Sequence, residues 1–113
     1  MHAIVVRETG GPEALEYVET ADPAPGPGRL LVAVAAAGVN YIDIYFRTGR
    51  YPKPLPFVPG SEGAGVVTAL GTGVDGFAVG DRVAWADGNA GSYADGMRRA
   101  AARRLDSWQA AAR

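Results

Sequence analysis

Two glycine-punctuated turns constrain this chain more than anything else in it. The run Val58-Pro-Gly-Ser-Glu-Gly-Ala-Gly-Val-Val67 leads from a turn into a β-branched stretch, and Val79-Gly-Asp-Arg-Val83 repeats the arrangement. Helix does not propagate through glycine and proline at that spacing, whereas short strands joined by tight turns do. The same grammar runs through the whole chain. Sixteen Gly and 8 Pro in 113 residues predict many short strands, little helix and an all-β, barrel-like domain.

The elements follow in order. Residues 2–7 and 15–19 read as a hairpin with Gly10-Gly11-Pro12 in the connection. Asp22-Pro-Ala-Pro-Gly-Pro-Gly28 cannot continue a strand and is a loop. Leu30 to Ala37 is a continuous apolar run and predicts a fully buried strand. Asn40 to Arg47 reads as a short helix, with Asn40 as N-cap, Asp43 returning a capping-box bond, and Gly49 ending it. Tyr51-Pro-Lys-Pro-Leu-Pro56 is extended loop, Gly65 to Leu70 a strand, Gly71 to Gly76 a turn and Arg82 to Ala86 a strand. A further strand is expected to begin within Gly91 to Asp95.

A chain of 113 residues supports one domain with a real core. No run of about 18 apolar residues occurs, so no transmembrane helix is expected. The apolar stretch after Met1 is too short for a signal-peptide core. Cysteine is absent, which excludes disulfides and thiol catalysis and fits a reducing cytoplasm. Residues 71–76 satisfy G-x-G-x-x-G, but they lie between two strands, whereas phosphate-binding loops lead into a helix.

The net charge of −1 conceals a break in composition: the final 18 residues, 96–113, carry 5 Arg and a single Asp, while the remainder is acidic. Residues 1–95 therefore read as the domain and 96–113 as an atypical Ala/Arg-rich tail. The tail has two readings. One is a frameshifted or truncated end to the gene product. The other is a helix, since Met97, Ala101, Leu105 and Trp108 fall at helical spacing. Against an otherwise acidic chain, its arginines read as a solvated face, and no nucleic-acid partner is expected.

The phrase Ala37-Gly-Val-Asn-Tyr-Ile-Asp43, continued to Pro52, together with Gly10 to Glu19 and Pro59 to Val83, resembles the N-terminal catalytic domain of the medium-chain dehydrogenases/reductases. The branch they resemble is the zinc-free quinone oxidoreductases. The resemblance covers residues 1 to about 95 and implies a partly open β-barrel similar to GroES, with one short helix and, on one reading of the tail, a second at the C-terminus. It implies metal-free hydride transfer from NADP(H) to a quinone or another conjugated carbonyl, a chemistry that the cofactor carries and the protein positions.

It also implies roles for named residues. Asn40, Tyr45 and Tyr51 would line the cleft facing the nicotinamide and the substrate ring. Asn40 and Ser61 would meet the cofactor. Zinc-dependent members carry Cys where this chain has Asn40 and His where it has Ser61, so no metal is expected. Ser61 has no base beside it in the sequence pattern and is not a nucleophile. Asp43 and Glu62 match acidic positions whose expected role is structural, with Glu62 bonded to backbone or to an Arg. Arg47 is open between orienting a phosphate or carbonyl and standing at a solvated helix end.

The family's nucleotide-binding Rossmann domain has no counterpart in these residues, nor do most of its dimer contacts. The chain alone is thus expected to be catalytically inactive, and the residues choosing NADPH over NADH lie outside it. The alternative from another class is a free-standing binding module on the same barrel, with residues 51–58 as its loop.

Overall fold

The computed structural model describes residues 1–86, 91–100 and 103–104. The chain opens on an antiparallel hairpin, β1 (His2–Val5) and β2 (Glu16–Glu19), connected through one 3-10 turn at Pro12–Ala14. It continues through β3 (Arg29–Gly38), α1 (Tyr41–Thr48), β4 (Glu62–Leu70), β5 (Arg82–Ala86), β6 (Gly96–Ala100) and β7 (Arg103–Arg104). Strands β3 to β7 form one antiparallel sheet in the order β6-β3-β4-β5-β7. Its two end strands do not pair with each other, so the sheet stays open. The expected mainly β, partly open architecture with one short helix holds among the described residues.

The core lies on one face of this sheet. Leu30 and Val32 of β3, Val67 of β4, and Val83 and Trp85 of β5 are buried together, with Val34, Val74 and Phe77 packed against them. These positions alternate along their strands, as the two-residue side-chain period requires. Two glycines of β4 permit the close strand approach. A Cβ at Gly65 would run into the carbonyl of Ala33, and one at Gly63 would lie 2.6 Å from the Trp85 ring. The hairpin is fastened separately: Val6 and Phe57, both buried, exchange backbone hydrogen bonds of 2.9 and 3.0 Å.

Three expectations change. Strand β3 is not buried throughout: Leu30 and Val32 are, while Ala35, Ala36 and Ala37 are exposed. The register shifts between Val34 and Ala36, where the strand leaves the core, and alanine's small apolar surface tolerates that exposure. Gly91 to Asp95 is a loop with a single bridge from Ala94 to Ala3, and the strand starts one residue later at Gly96.

The third concerns the tail. Gly96–Ala100, helical on one of the two readings of the tail, is strand β6, paired along β3 from Arg29↔Ala100 to Ala33↔Gly96. Asp95 sets this register. It accepts from the Val34 N–H (2.8 Å) and donates to the His2 carbonyl (2.9 Å), so the chain is already held on both sides before the Ala/Arg sequence begins. Backbone pairing along β3 then outweighs the helix preference of alanine. Ala101, Leu105 and Trp108 of the helical stripe lie outside the described residues. No helix among the described residues is long and apolar enough to cross a membrane.

Truncation in this core should be costly. Leu30→Ala, at a fully buried position, is expected to lower unfolding free energy by about 2–5 kcal/mol in urea titrations. Val39→Ala, at a position 78% exposed, should shift it by no more than about 0.5 kcal/mol.

Candidate functional site

The N-terminus of α1 is built as the sequence indicates. Asn40 is extended at φ −128° and caps the helix. Its N–H donates to Asp43 Oδ2 at 3.0 Å, and the Asp43 N–H donates back to the Asn40 carbonyl at 3.0 Å. The structural role expected of Asp43 therefore holds, but the carboxylate does more than close a cap. It is 5% exposed and takes two further donors: the Ser61 hydroxyl on Oδ1 at 2.8 Å and the Tyr93 hydroxyl on Oδ2 at 2.8 Å. One buried carboxylate thus joins α1, the residue leading into β4, and the loop before β6. Hydrogen bonds to an ionised acceptor are the strong kind, and a buried carboxylate requires them.

The loop reaches Asp43 only because of Gly60. This residue sits at φ +111°, and a Cβ on it would lie 2.7 Å from the Ser92 nitrogen and 2.8 Å from the Tyr93 ring. Backbone bonds from Gly91 to the Gly60 carbonyl (2.9 Å) and from Tyr93 to the Pro59 carbonyl (3.0 Å) then fix the loop in place. Beside them the Trp85 indole donates to Ser92 Oγ at 2.9 Å, linking the same loop to the core.

Within this cluster one group has no partner. The Asn40 side-chain nitrogen is buried and unbonded. A buried unsatisfied donor costs about 1–3 kcal/mol, so such an atom in a well-bonded setting needs an explanation. An amide N–H fits a carbonyl acceptor, either a carboxamide such as that of nicotinamide or a quinone oxygen. Ser61 is different. Its hydroxyl proton is committed to Asp43, which leaves it only acceptor capacity toward any ligand.

The second group is aromatic and lies in the last turn of α1. Gly49 takes a left-handed conformation (φ 85°) and its N–H closes on the Phe46 carbonyl, so the chain doubles back on the helix. The Tyr51 N–H then donates to the Tyr45 carbonyl at 3.1 Å, and the two rings meet edge to face, centroids 5.3 Å apart at 70°. Phe46 meets Tyr51 in the same manner at 6.0 Å. The structure thus brings Tyr45 to Tyr51, and Asn40 to Asp43, Ser61 and Tyr93. The two groups stand at the start and in the last turn of α1, about 7.5 Å apart along its axis at the rise of an α-helix.

The remaining candidates have structural places. Arg47 donates from Nε to the Gly10 carbonyl at 3.2 Å and accepts from the Gly10 N–H at 3.0 Å, fastening the hairpin connection to α1. Glu62 is exposed, its side chain laid across Gly38. His2 stacks on Tyr17 with centroids 5.0 Å apart. No group of three His, Cys, Asp or Glu residues that could hold a metal occurs among the described residues.

Tyr93 is the member that sequence reasoning missed. A tyrosine between Ser and Ala in a glycine-led loop carries no local signal, and its partner Asp43 is 50 positions away. Burial, the bond to Asp43 and the nearby carboxylate charge all raise its pKa well above the usual phenol value. The neutral phenol is therefore favoured by folding. Its stabilisation is complete below the unfolded pKa of about 10 and is lost as pH climbs through the higher folded value.

In an alkaline titration followed at 295 nm, the Tyr93 phenol is expected to ionise above the usual tyrosine range. Tyr93→Phe should remove the late-titrating signal and cost about 1.5–3 kcal/mol of stability at pH 7, the range for a bond to a charged group. A Tyr93→Phe chain as stable as the parent would contradict this account of Asp43.

Comparison with known proteins agrees with this architecture. The alcohol dehydrogenase GroES-like domain family matches residues 26–108. A quinone oxidoreductase of Pseudomonas aeruginosa is 52% identical over 87 residues, which is 76% of this chain and 27% of that protein. The structure of Escherichia coli quinone oxidoreductase complexed with NADPH superposes with a TM-score of 0.90 at 37% identity, over 96% of this chain and 34% of that one. A mycobacterial protein complexed with NADPH gives 0.83 at 51% identity, over 89% and 32%. The chain spans about a quarter to a third of the length of these relatives. It belongs to the alcohol dehydrogenase GroES-like domain family of the medium-chain dehydrogenases/reductases, in the quinone oxidoreductase branch.

Proposed function

We propose that this chain forms the substrate-facing part of an NADPH-dependent quinone oxidoreductase that works without metal. The observation that carries the reading is the buried, unpartnered Asn40 amide nitrogen, held by the Asp43 cap at one end of α1 while Tyr45 and Tyr51 pair at the other. The names of its relatives, quinone oxidoreductases from bacteria and mammals, support the same reading.

When bound, NADPH supplies the hydride, and the quinone takes up that hydride and a proton to become the hydroquinone. The residues of this chain bind and orient. Asn40 donates its side-chain N–H to a ring carbonyl or to the nicotinamide carboxamide, and Ser61 offers its remaining lone pairs to the cofactor's amide. Tyr45 and Tyr51 present flat apolar surface to the quinone. Asp43 holds Asn40 and Ser61 in place. Tyr93 is not the proton donor, because its hydroxyl is committed to Asp43 and its pKa is raised. The proton is drawn from solvent, to which Tyr51 is open at 44% exposure.

On this reading nucleotide binding falls to a Rossmann unit outside these 113 residues, and these residues by themselves are expected not to turn over NADPH. Isotope-labelled chain titrated with menadione should shift the Asn40 side-chain amide and the Tyr45 and Tyr51 ring signals, and should leave NADPH unoxidised. Fusion to the nucleotide-binding domain of a relative should confer quinone-dependent NADPH oxidation, and Asn40→Ala in that fusion should lower kcat/KM at least about tenfold, the equivalent of one lost hydrogen bond in the transition state. Shifts confined to other parts of the chain, or an unimpaired Asn40→Ala fusion, would overturn the assignment.

A further inference from the structure

The aromatic pair carries a cation that the proposed reading has not used. The Arg50 guanidinium lies over the Tyr45 ring, 4.8 Å from its centroid, and Tyr51 meets the same ring edge-on. Arg50 is exposed, and no carboxylate pairs with it among the described residues. Its position is set by the backbone. It follows the left-handed Gly49 and precedes Tyr51, whose N–H is bonded to the Tyr45 carbonyl. A guanidinium stacked on a ring uses its face, and its in-plane N–H fork remains free to take an oxyanion with two parallel bonds.

The neighbouring cations are already engaged. Arg47 is held by the Gly10 carbonyl, and Lys53 lies between Phe46 and Phe57 at 5.0 and 4.9 Å. Among the described residues, Arg50 therefore stands as a positive charge without a carboxylate partner at the lip of the tyrosine pair.

We propose that Arg50 is a specificity-determining residue that selects quinones bearing an oxyanion, a carboxylate or sulfonate, on the ring system. The inference rests on Tyr45 and Tyr51 being the quinone site. The ring lies against the tyrosines and the oxyanion meets the free edge of the guanidinium. The electron-rich Tyr45 ring stabilises the cation on its covered face, and the bound oxyanion neutralises it at its edge. A neutral quinone makes the same ring contacts without that pairing. Sulfonate, carboxylate and phosphate share this chemistry, so a phosphate of the nicotinamide nucleotide is the competing source of the anion.

The test uses the 113-residue chain and two ligands of one ring system: anthraquinone-2-sulfonate and neutral 2-(hydroxymethyl)anthraquinone. Binding is read from the Tyr45 and Tyr51 ring resonances and the Arg50 Nε signal. The sulfonate should bind about tenfold tighter than the neutral analogue at low salt, with that margin shrinking as salt rises. Arg50→Gln should abolish the difference by weakening the sulfonate alone, and Arg50→Lys, which keeps the charge but loses the fork, should retain only part of it. Arg50 is exposed, so an unchanged backbone spectrum for both variants is expected.

Equal binding of the two ligands at the tyrosines, indifferent to Arg50→Gln, would overturn the role of Arg50 while leaving the tyrosine site standing. Failure of both ligands to move Tyr45 and Tyr51 would overturn the site and the inference together. NADP+ alone shifting Arg50 and excluding the sulfonate would assign the oxyanion to the nucleotide and overturn the substrate role.

Discussion

The Asp43 carboxylate is the point on which this structure turns. A carboxylate removed from water is costly unless its lone pairs are filled. Here they are filled by donors from three separated segments: the Asn40 backbone, the Ser61 hydroxyl and the Tyr93 hydroxyl. None of the three is adjacent in sequence to another. Satisfying one buried charge therefore fixes the start of the helix, the residue leading into β4 and the loop leading into β6 relative to one another. The unbonded Asn40 amide nitrogen is held in place as a by-product of that arrangement.

The open sheet supplies the platform. Its core is small and one-sided, made by Leu30, Val32, Val67, Val83 and Trp85. It tolerates a rim of alanines and exposed apolar residues at the far end of β3, on the same strand that leads into Asn40. Glycines work at two kinds of place. Gly63 and Gly65 let strands approach more closely than any side chain would allow. Gly49 and Gly60 take left-handed backbone, and each delivers a tyrosine, Tyr51 and Tyr93 respectively.

The two tyrosine-bearing groups divide the chemistry. Around Asp43 every proton is committed except on the Asn40 amide, so that group can orient a carbonyl and does little else. Around Tyr45 the surface is flat, apolar and bordered by a cation, which suits a planar conjugated ring. Neither group contains an activated nucleophile, and the described residues hold no cluster suited to a metal. The proposed function draws on this arrangement: residues that position a ring for chemistry brought by a cofactor.

What the sequence determined by itself was local. Asn40, Asp43 and Gly49 announce the helix, its cap and its end, because capping depends on residues within one turn of each other. The glycine and β-branched runs announce β4 and β5 for the same reason, and together with the long phrase from Ala37 to Pro52 they indicated the family. The tertiary structure decided what depends on partners far away in the chain. It buried Asp43 against Tyr93, 50 positions on. It exposed Ala35 to Ala37 although their sequence reads as core, since burial depends on what packs above a strand and not on the strand alone. It turned the alanine- and arginine-rich Gly96–Ala100 into a strand, because the edge of β3 offers a backbone ladder and Asp95 fixes its register. Propensity is summed along the chain, whereas burial and pairing are settled across it.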